Sequence, residues 1–111
     1  DFPNAILDFN QVIKDNGKDA DALYYRGDCH YWLNQLDAAI LDFQAVVSLT
    51  PEDASTHYLL ASLYAQKKNA PKALAALSQA IQHNPDLKRA ARNEAALVFL
   101  RKLPEFQKLV K

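Results

Sequence analysis

The feature that most constrains the fold of this chain is an internal repeat with a period of 34 residues. Residues 5–9 read Ala-Ile-Leu-Asp-Phe, and residues 39–43 read the same five letters. A weaker copy, Ala-Leu-Ala-Ala-Leu, occupies residues 73–77, and Pro51 and Pro85 are separated by the same interval. A fixed period of this length is typical of a solenoid, in which each unit buries its apolar face by stacking on its neighbours.

Apolar residues recur at i, i+3/i+4 and i+7 throughout the chain, which is the spacing of amphipathic helices. No alternating β-branched run suggests a strand. The pattern therefore predicts an all-α protein with seven antiparallel helices in short-loop pairs. The predicted ranges are 3–15, 18–33, 37–48, 51–66, 70–83, 85–100 and 105–110.

Several loop residues predict where these helices begin and end. Gly17 is expected to take a positive φ after the first helix, and Asn16 to cap the second. Asn34 is expected to be a left-handed helix stop. Thr50 followed by Pro51 predicts a capping hydroxyl and a proline in the first turn, and Asn-Pro-Asp at residues 84–86 repeats this start.

A helix–turn–helix unit of this length resembles the tetratricopeptide repeat. The places that match its pattern are Leu23, Arg26, Gly27, His30, Ala39, Phe43 and Pro51 in one unit, and His57, Leu60, Ala61, Tyr64, Ala73, Leu77 and Pro85 in the next. The resemblance implies an α-solenoid coiled into a right-handed superhelix. It divides the chain into half a repeat (1–19), two repeats (20–53 and 54–87), and a degenerate repeat with a C-terminal capping helix (88–111).

In the tetratricopeptide family, the first helix of each pair lines a concave groove that holds an extended peptide or a partner's helix. The resemblance thus implies a non-catalytic scaffold or adaptor with a protein partner. The expected groove residues are Asp21, Tyr24, Tyr25, Asp28, Tyr31, Tyr58, Ser62, Arg89, Arg92 and Phe99. The alternative is that the tyrosines pack between helix pairs and the arginines are solvated.

One groove chemistry of the family, a clamp on a C-terminal carboxylate, does not fit this sequence. Its places correspond to Tyr24, Asp28, Leu59, Arg89 and Asn93, and among these only Arg89 has the required charge. Asp28 would repel a carboxylate.

The sequence offers no set of residues for catalysis, a metal or a cofactor. Asp28, Cys29 and His30 are consecutive, so on a helix they point about 100° apart and cannot converge. Cys29 lies in the middle of a helix and is expected to be a buried, inert thiol. His30 and His57 occupy aromatic places of the repeat, so both are expected to be half-buried rings with hydrogen-bond partners.

Charge and hydropathy argue against two further classes of partner. Thirteen basic and thirteen acidic residues give no net charge, so nucleic acid is not expected to bind. No apolar run approaches the ~20 residues that a membrane-spanning helix needs.

The two ends of the chain carry different expectations. Phe106 and Leu109 of the last helix are expected to cover the final apolar edge. The first helix begins in the middle of a repeat, which suggests a segment of a longer protein. Its stripe of Phe2, Ile6, Phe9 and Ile13 is expected to form an exposed apolar edge that could pair two copies into a homodimer. The alternative function is therefore structural: the chain would be the C-terminal segment of a longer solenoid, and the partner would be recognised by residues upstream of it.

Overall fold

The chain is helical from end to end in a computed structural model that describes all residues 1–111. Its α-helices are α1 (Phe2–Asp15), α2 (Ala20–Trp32), α3 (Leu36–Leu49), α4 (Ala54–Gln66), α5 (Ala70–His83), α6 (Leu87–Asn93) and α7 (Pro104–Leu109), and a 3-10 helix spans Ala95–Leu100. The prediction of an all-α chain with seven α-helices is confirmed. The 3-10 helix is an addition that the sequence pattern did not predict.

Two compact units divide the chain, Asp1–Pro51 and Glu52–Lys111. In the first unit, α2 packs on α3 as a hairpin and α1 also packs on α2. Leu23, Phe43 and Val46 are buried in its core. A Cβ atom added at Gly27 would lie 2.9 Å from Cε1 of Phe43, so only glycine allows the two helices to approach this closely.

The second unit is built around the hairpin of α4 and α5. The 3-10 helix packs on α4 and α7 packs on α5. Leu77, Leu97 and Leu100 are fully buried, and Phe106 of α7 is 2% exposed. Burial of Phe106 is the contact expected of the last helix.

Helix ends repeat with the same period as the sequence. Asp19 caps α2 by accepting from the Ala22 N–H at 3.0 Å, and Asp53 caps α4 by accepting from the Thr56 N–H at 3.2 Å. Asn34 and Lys68, the second residues of the hairpin loops, both have φ of 60°. The left-handed stop predicted at Asn34 is therefore confirmed, and Lys68 is its counterpart.

Three of the predicted helix ends were wrong. No glycine has a positive φ, so Gly17 is not a left-handed stop, and Asp19 rather than Asn16 caps α2. The Thr50 hydroxyl turns back to the Val46 carbonyl at 2.9 Å, because that acceptor lies one turn earlier on its own helix. Residues 51–53 consequently form a turn, and α4 begins only at Ala54.

The predicted continuous helix over residues 85–100 was also wrong. Its expected start at residues 84–86 lies in a turn, and α6 begins only at Leu87. Glu94 has an extended backbone (φ −77°, ψ 118°) that ends α6, and its carboxylate accepts from the Ala96 N–H at 3.4 Å. Leu97 and Leu100 are then both fully buried. Residues three apart align on one face of a 3-10 helix, and both leucines face the core in this geometry.

Candidate interaction surface

An exposed stripe of alternating acidic and aromatic residues runs along α2. Asp21, Tyr25, Asp28 and Trp32 are spaced by three or four residues, so they share one helix face; we call them the α2 stripe. Tyr25 is 53% exposed and Trp32 is 65% exposed. Asp21 is exposed and Asp28 is half-buried. The stripe thus presents two large rings and two carboxylates to solvent.

Ring contacts beneath the stripe fix the position of Tyr25. Phe9 of α1 stacks on Tyr25 with ring centroids 6.0 Å apart, and Tyr24 meets Tyr25 edge-on at 5.7 Å. Tyr24 in turn packs against the buried Phe43 at 5.6 Å. A continuous chain of rings therefore connects the exposed Tyr25 to the core of the first unit.

Tyr24 and Tyr31, two other predicted groove residues, lie at the side of the stripe. Both are half-buried. Tyr31 meets Trp32 edge-on, with centroids 5.5 Å apart and planes at 79°. Tyr24 contributes to packing on Phe43, which agrees with the alternative reading of the tyrosines for this residue.

An ion pair that sequence reasoning missed lies behind the stripe, between α2 and α3. Arg26 donates from Nη2 to Asp42 Oδ1 at 2.6 Å and from Nε to Asp42 Oδ2 at 2.9 Å. Its Nη1 donates to Asn10 Oδ1 of α1 at 2.9 Å. Asp42 is only 4% exposed, and its hydrogen bonds raise the pKa of Arg26.

A sequence signal for this pair does exist. Arg26 occupies a place that matches the repeat pattern and Asp42 directly precedes another, Phe43; the residues one period later are the apolar Leu60 and Ala76. Two opposite charges at facing core positions of one helix pair indicate that they meet. Arg26 is consequently occupied in holding three helices together.

Tyr58 of α4 carries a buried polar group. Its hydroxyl is enclosed and completes no hydrogen bond of standard geometry, although the Glu94 carboxylate lies near it. Burial first, and then the neighbouring Glu94 carboxylate, raise the pKa of Tyr58 to about 12. Ser62, one turn further along α4, is half-buried.

The three remaining predicted groove residues lie between residues 89 and 99 and have separate surroundings. Arg89 is exposed, whereas Arg92 donates from Nε to the Val110 carbonyl at 2.6 Å. Phe99 is half-buried, and the Lys68 ammonium lies 4.8 Å from the centre of its ring. Arg92 therefore fastens the end of α7, and Phe99 already receives a cation.

The remaining titratable side chains of interest are the single cysteine and the three histidines. Cys29 is buried as predicted, and burial, followed by the Asp28 charge, raises the pKa of its thiol. His30 donates from Nδ1 to Gln35 Oε1 at 2.6 Å, which confirms the expected partner. His57 and His83 stack with centroids 6.0 Å apart, a pairing that the sequence did not indicate.

No group of three or more His, Cys, Asp or Glu side chains lies close enough together to hold a metal ion. None of the helices combines the length and the apolar character that a membrane span requires.

The apolar stripe of α1 is more buried than the sequence predicted. Ile6, Phe9 and Ile13 are half-buried, because α1 packs on α2 and Phe9 stacks on Tyr25. Phe2 is 43% exposed, and Leu7, on the opposite face of α1, is 65% exposed. The exposed edge predicted from all four stripe residues is therefore correct only for Phe2.

Comparisons with known proteins agree with this architecture. The profile of the tetratricopeptide repeat family matches residues 1–54 and again residues 33–88, which together cover most of the chain. A human protein, "Tetratricopeptide repeat protein 16", is 28% identical over 91 residues, a match that takes in 76% of this chain and 10% of that protein.

Two solved structures share the fold over nearly the whole chain. The crystal structure of MamA superposes with a TM-score of 0.83 at 23% identity and covers 98% of this chain and 64% of the MamA chain. A double mutant, MamA RS-1 ArsTM, gives a TM-score of 0.81 at 23% identity, with 98% and 62% covered. The chain thus spans less than two thirds of either MamA chain and about a tenth of the human relative.

Proposed function

The chain belongs to the tetratricopeptide repeat family, and from this membership we propose that it is a non-catalytic scaffold that binds a peptide or helical segment of a partner protein. The α2 stripe supplies the central contacts in this proposal. Membership of this family supports a general role as a protein-interaction scaffold. The use of the α2 stripe for binding is our own proposal.

The observation that carries the proposal is the exposure of Tyr25 and Trp32 on one face of α2. Large apolar side chains of a folded domain are normally buried, and Tyr and Trp are enriched among the residues that dominate binding at protein interfaces. The ring chain through Phe9 and Tyr24 also restricts Tyr25 before any partner arrives. Less side-chain entropy is then lost on binding.

Other predicted groove residues enter the proposal with different weight. Arg89 is exposed and free to contact a partner. Tyr24, Tyr31, Ser62 and Phe99 are half-buried and can contribute area at the edge of a contact. Tyr58 has a buried hydroxyl, and Arg92 donates to the Val110 carbonyl. We therefore assign these two residues to the packing of the second unit rather than to partner binding.

The test is selection of random peptides displayed on phage against the whole chain. Peptides that bind are remeasured with the Tyr25→Ala/Trp32→Ala variant, for which we expect affinity to fall by about tenfold or more because two anchoring rings are lost. Leu41→Ala/Leu49→Ala is the matched control, since it removes two exposed large side chains from α3 (67% and 39% exposed).

We expect both variants to keep the far-UV circular dichroism spectrum of the parent, and Tyr25→Ala/Trp32→Ala to melt at a lower temperature because the contact of Tyr25 with Phe9 is lost. Equal affinity for the parent and Tyr25→Ala/Trp32→Ala would contradict binding at the α2 stripe. Failure to select any peptide that binds reversibly would contradict the scaffold function itself.

A structural role, by stacking of α1 on another helix pair, is the second candidate. One observation favours it: none of the fourteen residues of α1 is buried, although the helix carries Phe2, Ile6 and Leu7. Stacking on a second copy predicts a mass that rises with concentration in light scattering. Leu7→Lys would abolish that rise, and a constant monomeric mass would contradict self-association.

A further inference from the structure

The zero net charge of the chain conceals two oppositely charged units. Residues 1–51 contain eight acidic and three basic residues, a net charge of −5. Residues 52–111 contain five acidic and ten basic residues, a net charge of +5. A partner segment that contacts the first unit therefore experiences an acidic surface, whatever the charge of the whole molecule.

The carboxylates of the α2 stripe are not neutralised within the protein. Asp21 and Asp28 form no ion pair, whereas Asp42 pairs with Arg26. Arg26 is the only Lys or Arg on α2, and its guanidinium is occupied by Asp42 and Asn10. The stripe consequently keeps its negative charge.

Alternation of carboxylates with exposed rings suits one class of ligand group. A Lys ammonium or Arg guanidinium is attracted by a carboxylate and by the face of an aromatic ring, and its aliphatic stem packs on the ring. Asp21 lies one turn before Tyr25, and Asp28 lies one turn before Trp32. Each exposed ring therefore has a carboxylate beside it, which gives two places for a cation along one helix face.

We propose that the α2 stripe recognises a Lys/Arg-rich segment of the partner protein. This inference rests on the proposed scaffold function and specifies the chemistry of its partner. Phosphates of nucleic acid and acidic peptides are repelled by the same surface.

The single tryptophan of the chain lies within the stripe and reports occupancy directly. We would titrate the whole chain with a peptide of about twelve residues that alternates Arg and Ser, and with the matched peptide in which Gln replaces Arg. The Arg peptide is expected to change Trp32 fluorescence with saturation, and the Gln peptide to bind about tenfold more weakly or worse. Equal binding of the two peptides would overturn the proposal.

Charge variants separate recognition at the stripe from attraction by the unit as a whole. Asp21→Asn/Asp28→Asn removes both stripe carboxylates and is expected to weaken the Arg peptide about tenfold. Asp8→Asn/Asp15→Asn makes the same change in net charge on α1, where both residues are exposed. It is expected to weaken binding less than about threefold, because only a long-range attraction that salt screens is lost. Equal losses in the two variants would overturn recognition at the stripe.

The phage selection described above distinguishes failure of this inference from failure of the scaffold function. Selected peptides that depend on Tyr25 and Trp32 but are not enriched in Lys and Arg would leave the scaffold standing and overturn the basic partner. A second copy is the competing occupant, because residues 52–111 are basic. Self-association that changes Trp32 fluorescence and is lost in Asp21→Asn/Asp28→Asn would assign the stripe to another copy and overturn the partner segment.

Discussion

The hairpins α2–α3 and α4–α5 occupy the same register of the repeat, yet their interfaces differ in chemistry. In α2–α3, Arg26 and the buried Asp42 form a two-bond ion pair beside Phe43. One period later, Leu60 and Ala76 replace the pair and are 4% and 8% exposed. The repeat therefore constrains where core residues lie, while their polarity is free to change when both partners change together.

Size is compensated across the interface in the same way. In α2–α3 the small residue is Gly27, which lies against Phe43. In α4–α5 Ala61 and Leu77 stand at these places, and both are fully buried. The side chain gained on one helix is matched by the smaller side chain on the other, because protein interiors are packed to constant density.

The largest expected effect comes from Asp42→Ala, which removes half of the ion pair. Arg26 is then left with part of its charge enclosed, and we expect the free energy of unfolding to fall by about 2–4 kcal/mol. Urea denaturation followed by circular dichroism measures this change. Arg26→Leu/Asp42→Ala copies α4–α5 and is expected to recover most of the loss. If the double variant is no more stable than Asp42→Ala, the two interfaces are not interchangeable.

The two helix caps give the next largest contrast. Asp53→Ala removes the cap of α4 and also the acceptor of the Thr56 hydroxyl, which donates to Asp53 at 2.8 Å and is fully buried. We expect a loss of about 2–3 kcal/mol. Asp19→Ala removes the equivalent cap of α2, where Ala22 replaces Thr56, and is expected to lose only about 1 kcal/mol. Equal losses in urea denaturation would contradict the role given to Thr56.

Gly27→Ala probes size compensation in α2–α3. The new methyl group would contact Phe43 and the Asp42 Cβ at 3.1 Å, and we expect a net loss of about 1–2 kcal/mol after the gain in helix propensity. Adding Phe43→Leu reproduces the Ala61–Leu77 pair. The size argument predicts that this second change harms Gly27→Ala less than it harms the parent chain, which a double-mutant cycle of thermal unfolding measures.

The smallest effect at neutral pH is expected for Tyr58→Phe, at the place in α4 that corresponds to Tyr24. The hydroxyl completes no hydrogen bond of standard geometry, so its loss should change stability by less than about 1 kcal/mol. Folding raises the pKa of Tyr58 from 10.0 to about 12. The folded state therefore holds the hydroxyl proton more tightly than the unfolded state. The resulting contribution to the free energy of unfolding is complete below pH 10 and is lost as the pH rises from 10 to 12.

Alkaline unfolding tests this contribution. Tyr58→Phe is expected to retain on the order of 1–2 kcal/mol more stability than the parent at the upper end of that range. Tyr25→Phe is the matched control, because Tyr25 is more than half exposed. Parallel pH curves for the parent and Tyr58→Phe would contradict the burial of the hydroxyl.

The sequence predicted the elements of this fold that depend on spacing within one helix. Apolar periodicity located all seven α-helices, and Gly27 was among the places that match the repeat pattern. The residues next to Asp42 could not predict its burial, because the exposed Asp8 lies in the same five-residue sequence. The difference in burial arises from Arg26 on the preceding helix, which pairs with Asp42, whereas Asp8 forms no ion pair.

The candidate surface was predictable to a similar extent. Helical spacing placed Asp21, Tyr25 and Asp28 on one face, but exposure separated them from Tyr24, which packs on Phe43. The break at Glu94 was not predictable from the apolar pattern, since Leu97 and Leu100 fit either helix type until their burial is known. Local spacing fixes which residues share a face, and tertiary contacts decide which of those faces meets solvent.

The Arg26–Asp42 pair also restricts how this repeat can diverge over evolutionary time. A lineage that moves from the charged pair to the apolar pair of α4–α5 must substitute two positions that lie sixteen residues apart in the chain. Either single substitution passes through a less stable intermediate that selection removes. The route is therefore open mainly to chains that already carry surplus stability, and the two positions should change as a pair among the descendants of this sequence.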